Sequence, residues 1–119
     1  MEARAVRKYI RSSPRKMRRV VNAIRGRSVA EALSALHFMP QAATRPVELT
    51  IKSAVYNLID QHREERFDEE DLVVREVRVD EGPVFKRFRP AARGRAHPYH
   101  KRLSHLTVVI AKRADDDVN

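Results

Sequence analysis

Thirty-three consecutive residues, Gly82 to Ala114, carry nine Lys or Arg and not one Asp or Glu. The formal net charge of the 119-residue chain is +9, so the entire excess sits in that stretch. The other 86 residues hold sixteen basic and sixteen acidic side chains and cancel. At the centre of the stretch, Lys86 to Arg102 reads KRFRPAARGRAHPYHKR, with seven cations, two prolines and one glycine. Removing an unpaired ion from water costs several kcal/mol even after relaxation. Seven neighbouring cations therefore cannot enter an apolar core. This segment must face water or a polyanion, and the core has to come from the sequence on either side of it.

That sequence is sufficient for one modest core. A chain of this length buries roughly 65% of its unfolded surface, and 42% of the residues are apolar. Ser13 and Pro14 suit the cap and first position of a helix. Met17, Val20, Val21 and Ile24 follow at helical spacing and form one apolar stripe. Arg15, Lys16, Arg18, Arg19 and Arg25 fall off that stripe. Gly26 is placed to end the helix in the left-handed region. A second helix opens at once, with Ser28 and Glu31 as a capping pair, and Ala32, Leu33 and Leu36 as its apolar face. A third runs through Val47, Ile51, Ala54, Val55, Leu58 and Ile59, starting at either Pro40 or Pro46.

The period then changes. HREERFDEED is a polar loop, and Leu72 to Asp80 alternates as a strand through Val77 and Val79. Leu106, Val108 and Ile110 alternate in another strand, and Arg4 to Ile10 alternates weakly. Some thirty structureless residues between two strands would be improbable in a compact domain. A long hairpin is the better reading, with Pro90 and Gly94 near its distal turn.

Little else in the chain carries chemistry. There are no cysteines, which excludes disulfides, zinc–thiolate sites and thiol nucleophiles. Four adjacent carboxylates, Asp68 to Asp71, lack the geometry of a two-metal site. His97, His100 and His105 are not fixed on one face of a rigid element, so no metal site is read from them. Neither a phosphate-cradling glycine loop nor a Ser-His-Asp order is present, so neither an enzyme nor a cofactor is expected. The run Val108–Ala111 is far short of the ~20 residues of a membrane helix, and MEARAVRKYIRSS lacks an apolar signal core. What remains is two basic regions. Residues 1–27 hold ten cations and one acid, and 28–81 hold six cations and twelve acids. The arm follows, and then the acidic tail Asp115, Asp116 and Asp117. Arg and Lys in the arm suit phosphates, and Phe85, Phe88 and Tyr99 can stack on bases. The nearly acid-free face of the first helix suits a phosphate backbone too.

The arm then supplies something more specific. Lys86, Arg87, Pro90, Ala92, Arg93, Gly94, Arg95, Ala96, Lys101, Arg102, Ser104, His105, Thr107, Val108 and Val109 fall in an order that resembles the signature of the universal large-subunit ribosomal protein twenty-two family, bacterial type. Val79 to Pro83 (VDEGP), the Ser-Ser-Pro start of the first helix through Ile24-Arg25-Gly26, and Ser53, Ala54 and Asn57 resemble it as well. The likeness covers nearly the whole chain.

The resemblance implies an α+β fold: three helices packed on a small three-stranded antiparallel sheet, with a long protruding β-hairpin. It implies a single domain, 1–119, with 82–105 as the basic arm. The expected function is a structural, non-enzymatic constituent of the large ribosomal subunit in the cytoplasm. It would bind ribosomal RNA and aid assembly, beside neighbouring ribosomal proteins and away from membranes. The expected RNA-binding residues are Arg15, Lys16, Arg18, Arg19, Arg25, Lys86, Arg87, Arg93, Arg95, Lys101, Arg102 and His105. The family places the hairpin tip on the wall of the peptide exit tunnel, which assigns Phe88, Arg89, Pro90, Ala91 and Ala92 to the tip beside the nascent peptide. The rival reading is an architectural DNA-binding protein whose β-arm enters the minor groove.

Overall fold

The computed structural model describes residues 2–66, 68–90, 94 and 96–113, and of residues 87–90 and 96–99 the backbone alone. Along the chain run β1 (Glu2–Ile10), α1 (Pro14–Ile24), α2 (Val29–Phe38), α3 (Thr44–Gln61), β2 (Leu72–Pro90) and β3 (Ala96–Lys112). The three strands form one antiparallel sheet in the order β1-β3-β2. The last strand in sequence is thus the central one, which explains its apolar content. Leu106, Val108 and Ile110 belong to the core shared with the helices, while Thr107, Val109 and Ala111, on the opposite face, are buried as well.

The helices cover one face of the sheet. Met17, Val20, Val21 and Ile24 of α1 are all buried, as the stripe predicts. Ser13 Oγ accepts from Lys16 N–H, and Ser28 Oγ accepts from Glu31 N–H. Gly26 takes φ +82, a conformation that a side chain would strain. On α3, Val47, Ile51, Ala54, Val55 and Leu58 are buried. Ile59, expected in that stripe, stays 39% exposed at the edge of the buried face.

Neither proline begins α3. The helix starts at Thr44, whose hydroxyl donates to Gln41 O at 2.9 Å, so Pro46 lies in the first turn. There its missing N–H is no loss, because first-turn N–H groups have no intrahelical acceptor. β1 is longer than its weak alternation indicates. Its buried residues are Ala3, Ala5 and Ile10, and the small side chains of the two alanines let α3 lie against it. Asn57 Nδ2 of α3 donates to Arg4 O at 3.1 Å across that contact.

Each outer strand is irregular. In β2 one extra residue intervenes between Val74 and Glu76, where the partners Ile110 and Val109 are adjacent. This β-bulge shifts the pleat by one residue. It is why the buried positions pass from Leu72 and Val74 to Val77 and Val79. Further bulges lie between Arg7 and Ile10 in β1 and between Glu81 and Val84 in β2, both opposite β3 near Ser104.

Beyond those bulges β1 has ended, and β2 and β3 continue alone as a two-stranded ribbon. Pairing runs from Val84 with Arg102 to Pro90 with Ala96, so the strand regions expected from 72–80 and 106–110 belong to one long hairpin. The molecule measures 66 × 25 × 19 Å. Its radius of gyration is 17.7 Å, against roughly 13.5 Å for a compact chain of this length. The hairpin accounts for the elongation.

Candidate nucleic-acid interface

Two elements bring the basic regions together: α1 and the ribbon that leaves the sheet beside it. On α1, Arg15, Lys16 and Arg19 are exposed, and none has an ion pair among the described residues. Arg18 and Arg25 are placed differently. Arg18 Nη2 donates to Val79 O at 3.1 Å, and Arg25 Nη2 donates to Val77 O at 2.8 Å. Arg25 Nη1 also donates to Asn22 Oδ1 at 2.8 Å. These two arginines clasp the helix to the free edge of β2.

That edge is closed further along as well. Gly26 N–H donates to Val74 O, and Val74 N–H donates to Arg27 O. An open strand edge is a template for unwanted pairing, and here α1 and its following turn occupy it. Sequence reasoning placed Arg18 and Arg25 on the outward basic face. The bulge that turns Val77 O and Val79 O towards them left no signal beyond the shift in apolar parity between Val74 and Val77.

His105 also has an internal partner. Its Nδ1 accepts from Tyr9 N–H at 3.1 Å, and the two rings meet edge to face with centroids 4.9 Å apart. Tyr9 has φ +59, unusual for a bulky residue. This contact holds the β1 bulge against β3 where the arm begins. Ser104, fully buried, donates from Oγ to Ser12 O at 2.6 Å at the same level.

On the other side of β3, a Cβ built on Gly82 would meet Leu103 C and O at 3.1 Å and His105 Cε1 at 3.3 Å. Only glycine lets the β2 bulge approach β3 so closely. Gly82→Ala should therefore destabilise by about 1–3 kcal/mol through overpacking. Val84→Ala, at a half-exposed position, should cost little. Thermal denaturation monitored by circular dichroism separates the two; equal melting temperatures would remove the steric account of Gly82.

Along the ribbon, residues directly opposite share a face and alternate residues change face. Val84, Lys86, His100 and Arg102 therefore lie on one face, and Phe85 and Lys101 on the other. The ribbon thus carries cations on both sides. Arg102 and Lys101 have no ion pair among the described residues. The middle of the chain behaves otherwise. Arg75 pairs with Glu2, Arg78 lies 3.7 Å from Glu76 and 3.5 Å from Asp80, and Arg63 lies 2.7 Å from Asp60.

Ala91, Ala92, Arg93, Arg95 and the tail Asp115 to Asp117 lie outside the described residues. So do the side chains of Arg87, Phe88, Arg89, Pro90, His97 and Tyr99. Among the described residues no cluster of three or more His, Asp or Glu could hold a metal ion, and no helix is long and apolar enough to cross a membrane.

Comparison with known proteins agrees with this architecture. The family model described as ribosomal protein L22p/L17e matches residues 5–111. The large ribosomal subunit protein uL22 of Salinibacter ruber (strain DSM 13855 / M31) is 61% identical over 111 residues, covering 93% of this chain and 91% of that one. The protein of the same name from Desulfitobacterium hafniense (strain Y51) is 46% identical over 114 residues, covering 96% and 97%. That of Synechococcus sp. (strain JA-3-3Ab) is 49% identical over 109 residues, covering 92% and 86%. With a helix-backed sheet, a basic two-stranded arm and this extent of identity, the chain belongs to the ribosomal protein L22p/L17e family.

Proposed function

We propose that this protein spans from the outer surface of the large ribosomal subunit to the wall of the nascent-peptide exit tunnel, with its basic hairpin as the spanning element. As a member of its family it is a structural, ribosomal-RNA-binding constituent of the large subunit in the cytoplasm, and it is not an enzyme. The DNA-binding alternative has no support from the family. Neighbouring ribosomal proteins are its other partners there.

The observation that carries the spanning role is the ribbon beyond the bulges, with cations on both of its faces. A solvated surface loop has no need of that distribution. A strut packed between two RNA segments does, because each segment presents phosphates to one side of it. In this reading residues 1–119 form one domain and 82–105 are its arm. Arg15, Lys16 and Arg19 hold phosphates at the surface, and Arg18 and Arg25 add charge there while clasping β2. Lys86, Arg87, Arg93, Arg95, Lys101 and Arg102 neutralise phosphates along the arm. His105 sets the arm's root through Nδ1 and offers Nε2 to RNA. Phe88, Arg89, Pro90, Ala91 and Ala92 lie nearest the tunnel lumen and the nascent peptide.

Deleting 88–92 tests the division of labour. The buried residues of the core lie elsewhere, so folding and incorporation into the subunit should survive. Responses to stalling peptides and to macrolides should change, because the constriction widens. Sucrose-gradient occupancy and a nascent-chain stalling assay read the two effects separately. Loss of assembly, with stalling unchanged in the surviving ribosomes, would overturn the tunnel assignment.

A further inference from the structure

A trough joins the two basic regions, and one carboxylate stands in it. Two cavities of about 450 and 500 Å³ adjoin between the start of α1 and the root of the arm, and both are lined by Pro14, Glu81 and Arg102. The first extends along the arm to Lys86 and His100. The second extends along α1 to Arg15 and Arg19. Glu81 is the single acidic residue lining either cavity. It is exposed, and among the described residues it has no ion pair and no side-chain hydrogen bond. Elsewhere in β2 the carboxylates of Glu76 and Asp80 lie beside Arg78.

A lone carboxylate in a phosphate-binding trough needs a reason. It repels phosphates, and an ionised carboxylate can only accept hydrogen bonds. The sugar–phosphate backbone of DNA offers acceptors alone. The backbone of RNA adds one donor, the ribose 2′-hydroxyl. We propose that this trough is a site for an unpaired RNA strand, in which Arg15, Arg19 and Arg102 hold phosphates and Glu81 accepts a hydrogen bond from a ribose 2′-hydroxyl, so that the protein selects RNA over DNA.

The local fold suits Glu81 to that task. It pairs with Ser104 of β3, whose buried hydroxyl is tied to Ser12 O. It directly precedes Gly82, the residue whose backbone sits hard against Leu103. The carboxylate therefore rises from fixed backbone. Two residues earlier, Val79 O accepts from Arg18, which also lines the trough. One anchored cation, Arg18, and the acceptor Glu81 thus line the same groove as the guanidinium groups of Arg15, Arg19 and Arg102, unpaired among the described residues.

The proposal rests on the RNA-binding reading above, and its test separates the two. The probes are a mixed-sequence 20-nucleotide RNA and its 2′-deoxy counterpart with uracil retained, so that the hydroxyl is the only difference. Affinities are measured by fluorescence anisotropy at low salt with the full chain. The wild type should favour RNA by roughly tenfold or more, the equivalent of one hydrogen bond to a charged acceptor. In Glu81→Ala the ratio should fall towards one, chiefly through tighter binding of the deoxy strand. Glu81→Gln keeps an acceptor oxygen and should retain an intermediate ratio. Arg102→Ala should weaken both strands alike and leave the ratio in place. Glu81 is exposed, so both Glu81 variants should melt as the wild type does. An unchanged ratio in Glu81→Ala, or no preference in the wild type, overturns the role of Glu81 while salt-dependent RNA binding stands. Absence of RNA binding overturns both readings.

Discussion

Raising salt from 50 to 200 mM should weaken binding to fragments of ribosomal RNA by roughly 10³- to 10⁵-fold, if six to ten phosphates are neutralised as in a B-DNA complex. The expectation follows from where the charge lies. The acidic middle of the chain pairs with its own arginines, as Asp60 does with Arg63 and as Glu76 and Asp80 do with Arg78. Arg15, Lys16 and Arg19 of α1 and Lys101 and Arg102 of the arm have no such pairing among the described residues. Each phosphate they neutralise releases counterions, and that release produces the salt slope. Replacing Arg93, Arg95 and Arg102 together by Ala should lower the slope by about 2–3, since each contact contributes roughly 0.7–0.9. Replacing Arg63 and Arg66 should leave it nearly unchanged. Titrations by filter binding at five salt concentrations would decide the matter; a flat response would sink the electrostatic account.

The second large effect is on folding. Val20, Ile24 and Leu58 are 0–1% exposed and belong to the core between the helices and the sheet. Truncating a buried Ile or Leu to Ala costs about 2–5 kcal/mol through lost transfer energy and a residual cavity. The three changes together approach the whole stability of a domain this size, about 5–15 kcal/mol. Val20 and Ile24 are neighbours on one helix, so their costs will not add strictly. The triple variant should lose its cooperative thermal transition and fail to enter the large subunit. Lys101→Ala with Arg102→Ala should do the reverse, keeping the melting transition and losing RNA affinity. Full subunit occupancy by the triple core variant would mean that RNA, rather than the core, holds the fold together.

The elements that were legible in the sequence are those whose signals are local. Ser13-Pro14 and Ser28 with Glu31 start α1 and α2 because capping involves residues only three apart. The stripe Met17–Ile24 is complete within one helix. The signals that failed depend on distant partners. α3 starts at Thr44 without a side-chain cap, with that residue's hydroxyl tied to Gln41 O in the preceding turn, although two prolines nearby are stronger starters in isolation. Ile59 has the right spacing, but it lies at the edge of the buried face and stays 39% exposed. The acceptors that turn Arg18 and Arg25 inward lie 61 and 52 residues away, on a strand re-phased by a bulge. The contact of His105 with Tyr9 was invisible for the same reason, the two residues being 96 positions apart. The arm announced itself through charge alone, because no core can absorb it.

The bulges at the root of the arm also limit how such a molecule can change in length. They fix which residues of the ribbon look to either side, with Lys86 and Arg102 one way and Lys101 the other. One residue added to a single strand would slip the register and turn every side chain beyond it to the opposite face. One residue added to both strands would keep the pairing but still exchange the two faces distal to the insertion. Only two residues in each strand preserve both pairing and facing, and they advance the tip by about 7 Å. The reach of the arm is quantised, and a lineage in need of a slightly longer or shorter one must remodel the turn instead.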